Sequence, residues 1–218
     1  MKHEIELVDC NTVLVAYNFN ISLINIIWLS NNKIFTEEEL KRAISIPVML
    51  EIQSPDKFKF NLVADRLQFS VSPTQDNKAG LIIEKVGKLV ETLPHTPYSA
   101  VGLNFVYHVI PTNNIEDLSK SLFFNNNSEI HKAFDNENSR LGGYFSTDKL
   151  GGRLRLDIKP VKINISNEKT IEKMQFSYNF NFSIDQENGA NKVIQIFKKW
   201  DEAYCLSNEL TAKVNPGA

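Results

Sequence analysis

Cysteine, histidine, net charge and long apolar runs are all scarce in this chain. Two cysteines in 218 residues, Cys10 and Cys205, cannot build a disulfide framework, so both are expected as reduced structural thiols. The four histidines, His3, His95, His108 and His131, stand at none of the spacings of a metal site. No metal and no cofactor is therefore expected. A net charge of -2 supplies no global basic field to draw in nucleic acid or anionic lipid. The most apolar stretch, "ISLINIIWLS" at 21–30, is too short to span a bilayer and is interrupted by Asn25. The opening "MKHEIELVDC" carries acids where a signal peptide has a basic and then an apolar run. These absences lead us to expect a cytoplasmic protein without a membrane partner.

What the chain does have is alternation. It is 42% hydrophobic and 23% charged, the balance of a globular protein with a sizeable core. From Val13 the odd positions Val13, Val15, Tyr17, Phe19, Ile21 and Leu23 are apolar, while Asn18, Asn20 and Ser22 occupy the even ones. Period two predicts a strand with its odd face buried, ending or bulging near "IIWLS". Thr36 with Glu39 forms a capping box, predicting a short helix to about Ile44. "VMLEI" predicts a strand after Pro47, and "SPDK" a turn. Residues 58–71 change phase from Phe58, Phe60 and Leu62 to Leu67, Phe69 and Val71, which predicts a bulge near Ala64 and Asp65. Leu81, Ile82, Val86, Leu89, Val90 and Leu93 recur at helical spacing until Pro94 and Pro97. "YSAVGLNFVYHVI" returns to alternation, with Gly102 marking a bulge or a close backbone approach.

The second half begins with two short helical segments between Ile115 and Phe134, separated by "NNNS". Leu154, Leu156 and Ile158 alternate with Arg153, Arg155, Asp157 and Lys159. Beyond Pro160 the apolar phase moves to Val161, Ile163 and Ile165, predicting a bulge at the proline. Phe176, Tyr178, Phe180, Phe182 and Ile184 define one strand face. Val193, Ile196, Phe197, Trp200, Ala203, Tyr204 and Leu210 define the stripe of a long terminal helix.

The order β-α-β-β-α-β over 12–110 is that of a split βαβ, ferredoxin-like unit. The fold expected is therefore α+β, with antiparallel sheets and helices packed on one face. A ferredoxin-like unit at 1–112 precedes a second α+β unit at 113–218, the two packed as one continuous body without a linker. A faint internal similarity accompanies this division, read either as a duplication or as two instances of the same strand, polar loop and amphipathic helix. "LQFSVSPTQDNKAGLIIEKVGKLVE" resembles "FNFSIDQENGANKVIQIFKKWDE", matching Phe69 to Phe182, Val71 to Ile184, Ile82 to Val193, Val86 to Phe197 and Leu89 to Trp200.

The chemistry is sparse. "RLGGYFSTDKLGGRLRL" carries Leu-Gly-Gly twice, but a phosphate-cradling loop needs a helix after its glycines, and a strand pattern follows here. A hairpin turning near Asp148 and Lys149 fits better. Arg140, Lys149, Arg153, Arg155 and Lys159 form a local basic cluster, the candidate binding residues for an anionic partner; the simpler reading is a solvated face partnered by Asp157. No nucleophile elbow and no catalytic cysteine context is present, and His108 with His131 is a weak acid–base pair. The aromatics of "FSYNFNF" stand in the apolar phase, which sends them to a core rather than to stacked bases. These features favour a non-catalytic binding or assembly protein, associating with itself or with a protein partner through exposed strand edges. The alternative is an RNA-binding or RNA-processing protein: tandem ferredoxin-like units with a glycine-rich segment in the second half resemble CRISPR-type RNA endonucleases in outline. The charge balance does not favour nucleic acid.

Overall fold

Alternating side chains build most of this molecule, because a strand presents successive residues to opposite faces of its sheet. The structure is a computed structural model that describes residues 2–166, 169–185 and 187–215. In chain order the elements are β1 (Glu4–Ala16), α1 (Ile26–Asn31), α2 (Glu37–Leu40), β2 (Ile44–Ile46), β3 (Met49–Ser54), β4 (Phe58–Val63), β5 (Arg66–Val71), α3 (Lys78–Ile82), a π-helical turn (Ile83–Gly87), α4 (Lys88–Thr92), β6 (Tyr98–Ile110), α5 (Ile115–Phe123), α6 (Glu129–Ala133), β7 (Gly143–Lys149), β8 (Gly152–Ser166), β9 (Lys169–Ser183), α7 (Gly189–Phe197) and α8 (Trp200–Ala212). The nine strands of the described residues form one antiparallel sheet, ordered β2-β3-β4-β5-β1-β6-β9-β8-β7. The protein is thus α+β. Among the described residues no helix is long and apolar enough to cross a membrane.

Register separates the two faces. The row Ile52–Phe60–Phe69–Thr12–Leu103–Phe180–Leu154 crosses seven strands and is buried throughout. Helical residues Leu29, Leu40, Ile82, Val86, Leu118, Val193, Phe197 and Trp200 join the same core. Trp200 packs on Phe105 with ring centres 4.8 Å apart and planes tilted by 58°, so α8 is seated on β6 by an aromatic pair. The opposite face carries the row Gln53–Lys59–Ser70–Asn11–Asn104–Asn179–Arg155–Ser146, polar from end to end.

The repeat read in the sequence has a counterpart in the topology. β1, α1–α2, β3, β4, β5 and α3–α4 are followed in the same order by β6, α5–α6, β7, β8, β9 and α7–α8. The strand orders β3-β4-β5-β1 and β7-β8-β9-β6 correspond. Register agrees: Phe69 lies opposite Thr12, and its match Phe182 lies opposite Val101. Thr12 pairs with Leu103, and Val101 with Leu14, so one rotation about the Val13–Gly102 pair exchanges the halves. Every member of the five matched pairs is buried. α7 packs against α4 and the π turn, so the helical layers also meet.

Several expectations need correction. β1 buries its even residues Cys10, Leu14 and Ala16, not the odd set, and it ends at Ala16. Both phases of "TVLVA" hold apolar side chains, Leu14 and Ala16 in one and Val13 and Val15 in the other, so the local pattern is ambiguous; pairing on both sides with β5 and β6 selects the phase, after a bulge between Leu7 and Asp9. Phe19 is buried, but from a loop, and Leu23 is exposed. The phase change at 64–65 is a hairpin turn between β4 and β5 rather than a bulge, because Leu62 and Leu67 pair directly across it. The β8–β9 ladder runs unbroken through Pro160, opposite Met174, so no bulge forms there. Past this point the two strands leave their outer neighbours, whose ladders end at Gly143–Ile158 and Val109–Met174. On the helical side this ribbon meets polar partners, Glu172 and Lys162 with Arg140 and Glu116 of α5, so no apolar contact there enforces a phase. Val161 and Ile163 simply lie on the open face with Lys159; the Ile165 side chain is outside those described. The ladder also passes Gly102 without a break. The capping box at Thr36 and Glu39 is present, but its helix ends at Leu40. The terminal helix is two, α7 and α8, joined at Lys198 and Lys199.

Candidate functional site

The repeated Leu-Gly-Gly shapes one end of the sheet. Its second copy is the β7–β8 turn: Leu150 and Gly151 have φ of 57° and 79°, the left-handed pair of a type I′ hairpin. Lys199 Nζ donates to the Leu150 carbonyl at 2.7 Å and holds this turn against the helical layer. The first copy brings the chain into β7. A Cβ at Gly142 would lie 3.3 Å from the Lys159 Cα and closer still to the Ile158 carbonyl oxygen, so only glycine passes. The hairpin expected from the sequence is present, turning at Leu150–Gly151 instead of Asp148–Lys149.

β7 is the last strand of the sheet, and its outer edge carries no strand among the described residues. It is seven residues long, where the opposite edge strand, β2, has three. Short edges protect a sheet from further pairing; a longer one leaves a row of backbone donors and acceptors. Tyr144 is 64% exposed and Phe145 51%. Beneath β7, on the helical side, lies an apolar groove of about 640 Å³. Leu154, Leu156 and Ile158 of β8, Phe176 of β9 and Leu210 of α8 line it. Phe145 stands at its rim, with its ring 6.4 Å from that of Phe123.

The basic residues are divided. Arg153, Arg155 and Lys159 share the open face through their register with Asn181, Asn179 and Gln175. Arg153 is held by Asp148 at 3.0 Å and by Ser146, and Lys159 by Asp157 at 2.8 Å. Arg140 lies on the helical side, between Glu116 at 2.7 Å and Glu172 at 2.9 Å, and Lys162 also reaches Glu172. Glu172 is held below the usual carboxylate range, chiefly by the Arg140 hydrogen bonds. Among the described residues Arg155 and Lys149 make no ion pair within 4 Å. Salt bridges thus occupy three of the five candidate cations.

The open face is a hydrogen-bonded polar lattice. Asn104 Nδ2 donates to Asn11 Oδ1 at 2.8 Å, Asn179 Nδ2 to Asn104 Oδ1 at 2.6 Å, and Asn11 Nδ2 to Asp9 at 2.8 Å. Burial raises the Asp9 carboxyl above its ordinary value, against the Asn11 bond. Partial burial lowers His108, which faces Gln175 at 3.4 Å. His131 lies apart, accepting from the Asn125 N–H and packed on Phe124. Among the described residues no three His, Cys, Asp or Glu side chains gather as a metal site. The aromatics of β6 and β9 point into the core, so none stacks on the open face.

Sequence reasoning missed the groove because its lining comes from β7, β8, β9 and α8. The one available signal was the adjacent pair Tyr144–Phe145, which breaks alternation beside the glycines. No family model matches this chain, and no curated protein or solved structure matches it.

Proposed function

We propose that the protein is a non-catalytic binding or assembly module that acts through protein–protein contacts at the β7 edge. One observation carries this reading: a seven-residue free strand edge lies directly beside an apolar groove of about 640 Å³. Strand addition draws affinity from backbone hydrogen bonds and selectivity from side-chain pockets, and both are supplied here. The two free cysteines, one buried and one exposed, support a cytoplasmic setting. The order β4-β5-β1-β6, with helices on its two crossovers, supports a ferredoxin-like reading of residues 1–112 in which β2 and β3 are an added hairpin. The rotation about Val13–Gly102 favours a different division, before β6.

Photo-crosslinking tests the contact surface. Benzoylphenylalanine in place of Tyr144 should capture a protein, either another copy or a different chain, whereas the same group at exposed Tyr17 should not. Adducts at Tyr17 alone would refute the reading. The RNA alternative rests on Arg153 and Arg155 sharing the open face. It requires salt-dependent RNA binding that disappears in the R153A/R155A double variant.

A further inference from the structure

We infer that the occupant of the β7 edge is a second copy of this chain, pairing β7 with β7 antiparallel about a two-fold axis at Ser146. The inference rests on the reading of that edge as a contact surface, and it names the partner.

The internal rotation supplies the first argument. Phe180 lies opposite Leu154, and Leu154 opposite Thr147; in the other half Leu67 lies opposite Leu62, and Leu62 opposite Leu50. Leu67 stands two residues before Phe69, as Phe180 does before Phe182, so Leu50 of β3 corresponds to Thr147 of β7. Met49–Glu51 of β3 therefore corresponds to Ser146–Asp148 of β7. β2 covers that stretch of β3, pairing antiparallel through Ile44–Glu51 and Ile46–Met49. Among the described residues the chain thus caps this edge in its first half with an antiparallel strand and sets no strand on the equivalent stretch of the second. That position has the geometry for a strand of the same direction.

The second argument is the strand's complementarity to itself. An axis at Ser146 uses all seven residues, setting Gly143 opposite the second copy's Lys149, Phe145 opposite Thr147, and Tyr144 opposite Asp148. Tyr144 and Asp148 share the open face, so the phenol donates to a carboxylate across the junction. Phe145 and Thr147 share the helical face, so each Phe145 ring, half-exposed in the single chain, is carried over the rim of the other copy's groove. No like charges stand directly opposite. The two Arg155 side chains, one strand further in on each side, are about three strand spacings apart, roughly 14 Å, beyond the Debye length of about 8 Å. The pairing is isologous, so both β7 edges are consumed and assembly stops at two copies.

The test uses the full chain. Light scattering after size exclusion should give a mass near twice 24.9 kDa. Phe145 is half-exposed, so Phe145→Glu should keep the parent's circular dichroism spectrum and weaken association about tenfold or more. In a Cys205→Ser background, which removes the exposed thiol, Ser146→Cys should oxidise to a linked dimer, and Tyr17→Cys should not. A monomer that fails to crosslink through S146C overturns the inference; the contact surface itself still stands or falls on the Tyr144 adducts. A dimer that survives F145E and does not crosslink through S146C also overturns it.

Discussion

Replacing Gly142 with alanine should damage β7 selectively. Its Cβ would meet the Ile158 carbonyl oxygen well inside 3.0 Å and the Lys159 Cα at 3.3 Å. Both neighbours are backbone, and the oxygen belongs to the first residue pair of the β7–β8 ladder, Gly143–Ile158. Neither can rotate away, so the strand must shift. Overpacking of this kind costs about 1–3 kcal/mol, and we take the upper half because no side chain can relieve it. Gly142 is not among the positive-φ residues, so alanine adds no dihedral strain there. Alanine also restricts the unfolded chain, offsetting about 0.5–1 kcal/mol. The net loss is about 1–2.5 kcal/mol, a Tm decrease of roughly 2–10 °C for a chain of this size. Gly143→Ala is the control. Its Cβ would meet ring carbons of Phe123 and Phe145 at 2.8 and 2.9 Å, and those rings can turn aside, Phe145 into solvent. That variant should lose under about 1 kcal/mol. Urea unfolding followed by circular dichroism gives the two values, and hydrogen exchange locates the damage. The Gly143 and Phe145 amides, which face β8, should lose protection in G142A, while those of β6 keep theirs. Equal losses in the two variants, or a G142A within about 0.5 kcal/mol of the parent, would refute the close-approach argument.

Three further outcomes are expected. Lys85 is buried and donates to Glu39 at 2.9 Å and to the largely exposed Glu84 at 3.0 Å, while Glu39 also accepts the Thr36 N–H; Glu39→Ala leaves the ammonium only Glu84 and opens the capping box, costing about 2–3 kcal/mol, whereas Lys85→Met refills the space and should cost less than about 1.5 kcal/mol. The reverse order in urea unfolding would sink this account. Cys10 is fully buried and burial pushes its thiol up to about 12, so an aromatic disulfide reagent should titrate Cys205 alone in the native protein and both thiols in denaturant; two fast native thiols would contradict the packing. Glu172 is depressed by Arg140, so the stability it contributes is present above the ordinary glutamate range and is lost as pH falls through its lowered value. Its side chain is about a quarter exposed, so Glu172→Gln should cost under about 1 kcal/mol at neutral pH, and the difference from the parent should close on acidification. A difference that grows at low pH would reverse the sign and refute it.

Local pattern carried much of the fold. Phe176 to Phe182 and Val101 to Val109 were readable as buried faces because each apolar residue alternates with residues of a polar or half-buried phase over a full strand. Thr36 with Glu39, and the glycines of the hairpin, were readable because caps and turns are decided within a few residues. The same reasoning failed at "TVLVA", where either phase can face a core, and at Pro160, where no apolar contact on the helical side enforces a phase. The candidate site was less legible. Arg140 reads as one of a basic cluster, yet it lies across the sheet from Arg153, because β8 and β9 set it beside Glu172.

The buried faces of β6 and β9, the Thr36–Glu39 cap, the presence of a glycine hairpin, and the match of Phe69 to Phe182 were determined by the sequence alone, since each depends on neighbours close along the chain. Tertiary structure alone decided that β1 and β6 join two halves about Val13–Gly102, that β2 covers one outer strand, and that β7, beside its groove, has no strand on its outer edge among the described residues. Those outcomes depend on which strand lies beside which, and pairing partners far apart in sequence leave no local period by which to choose them.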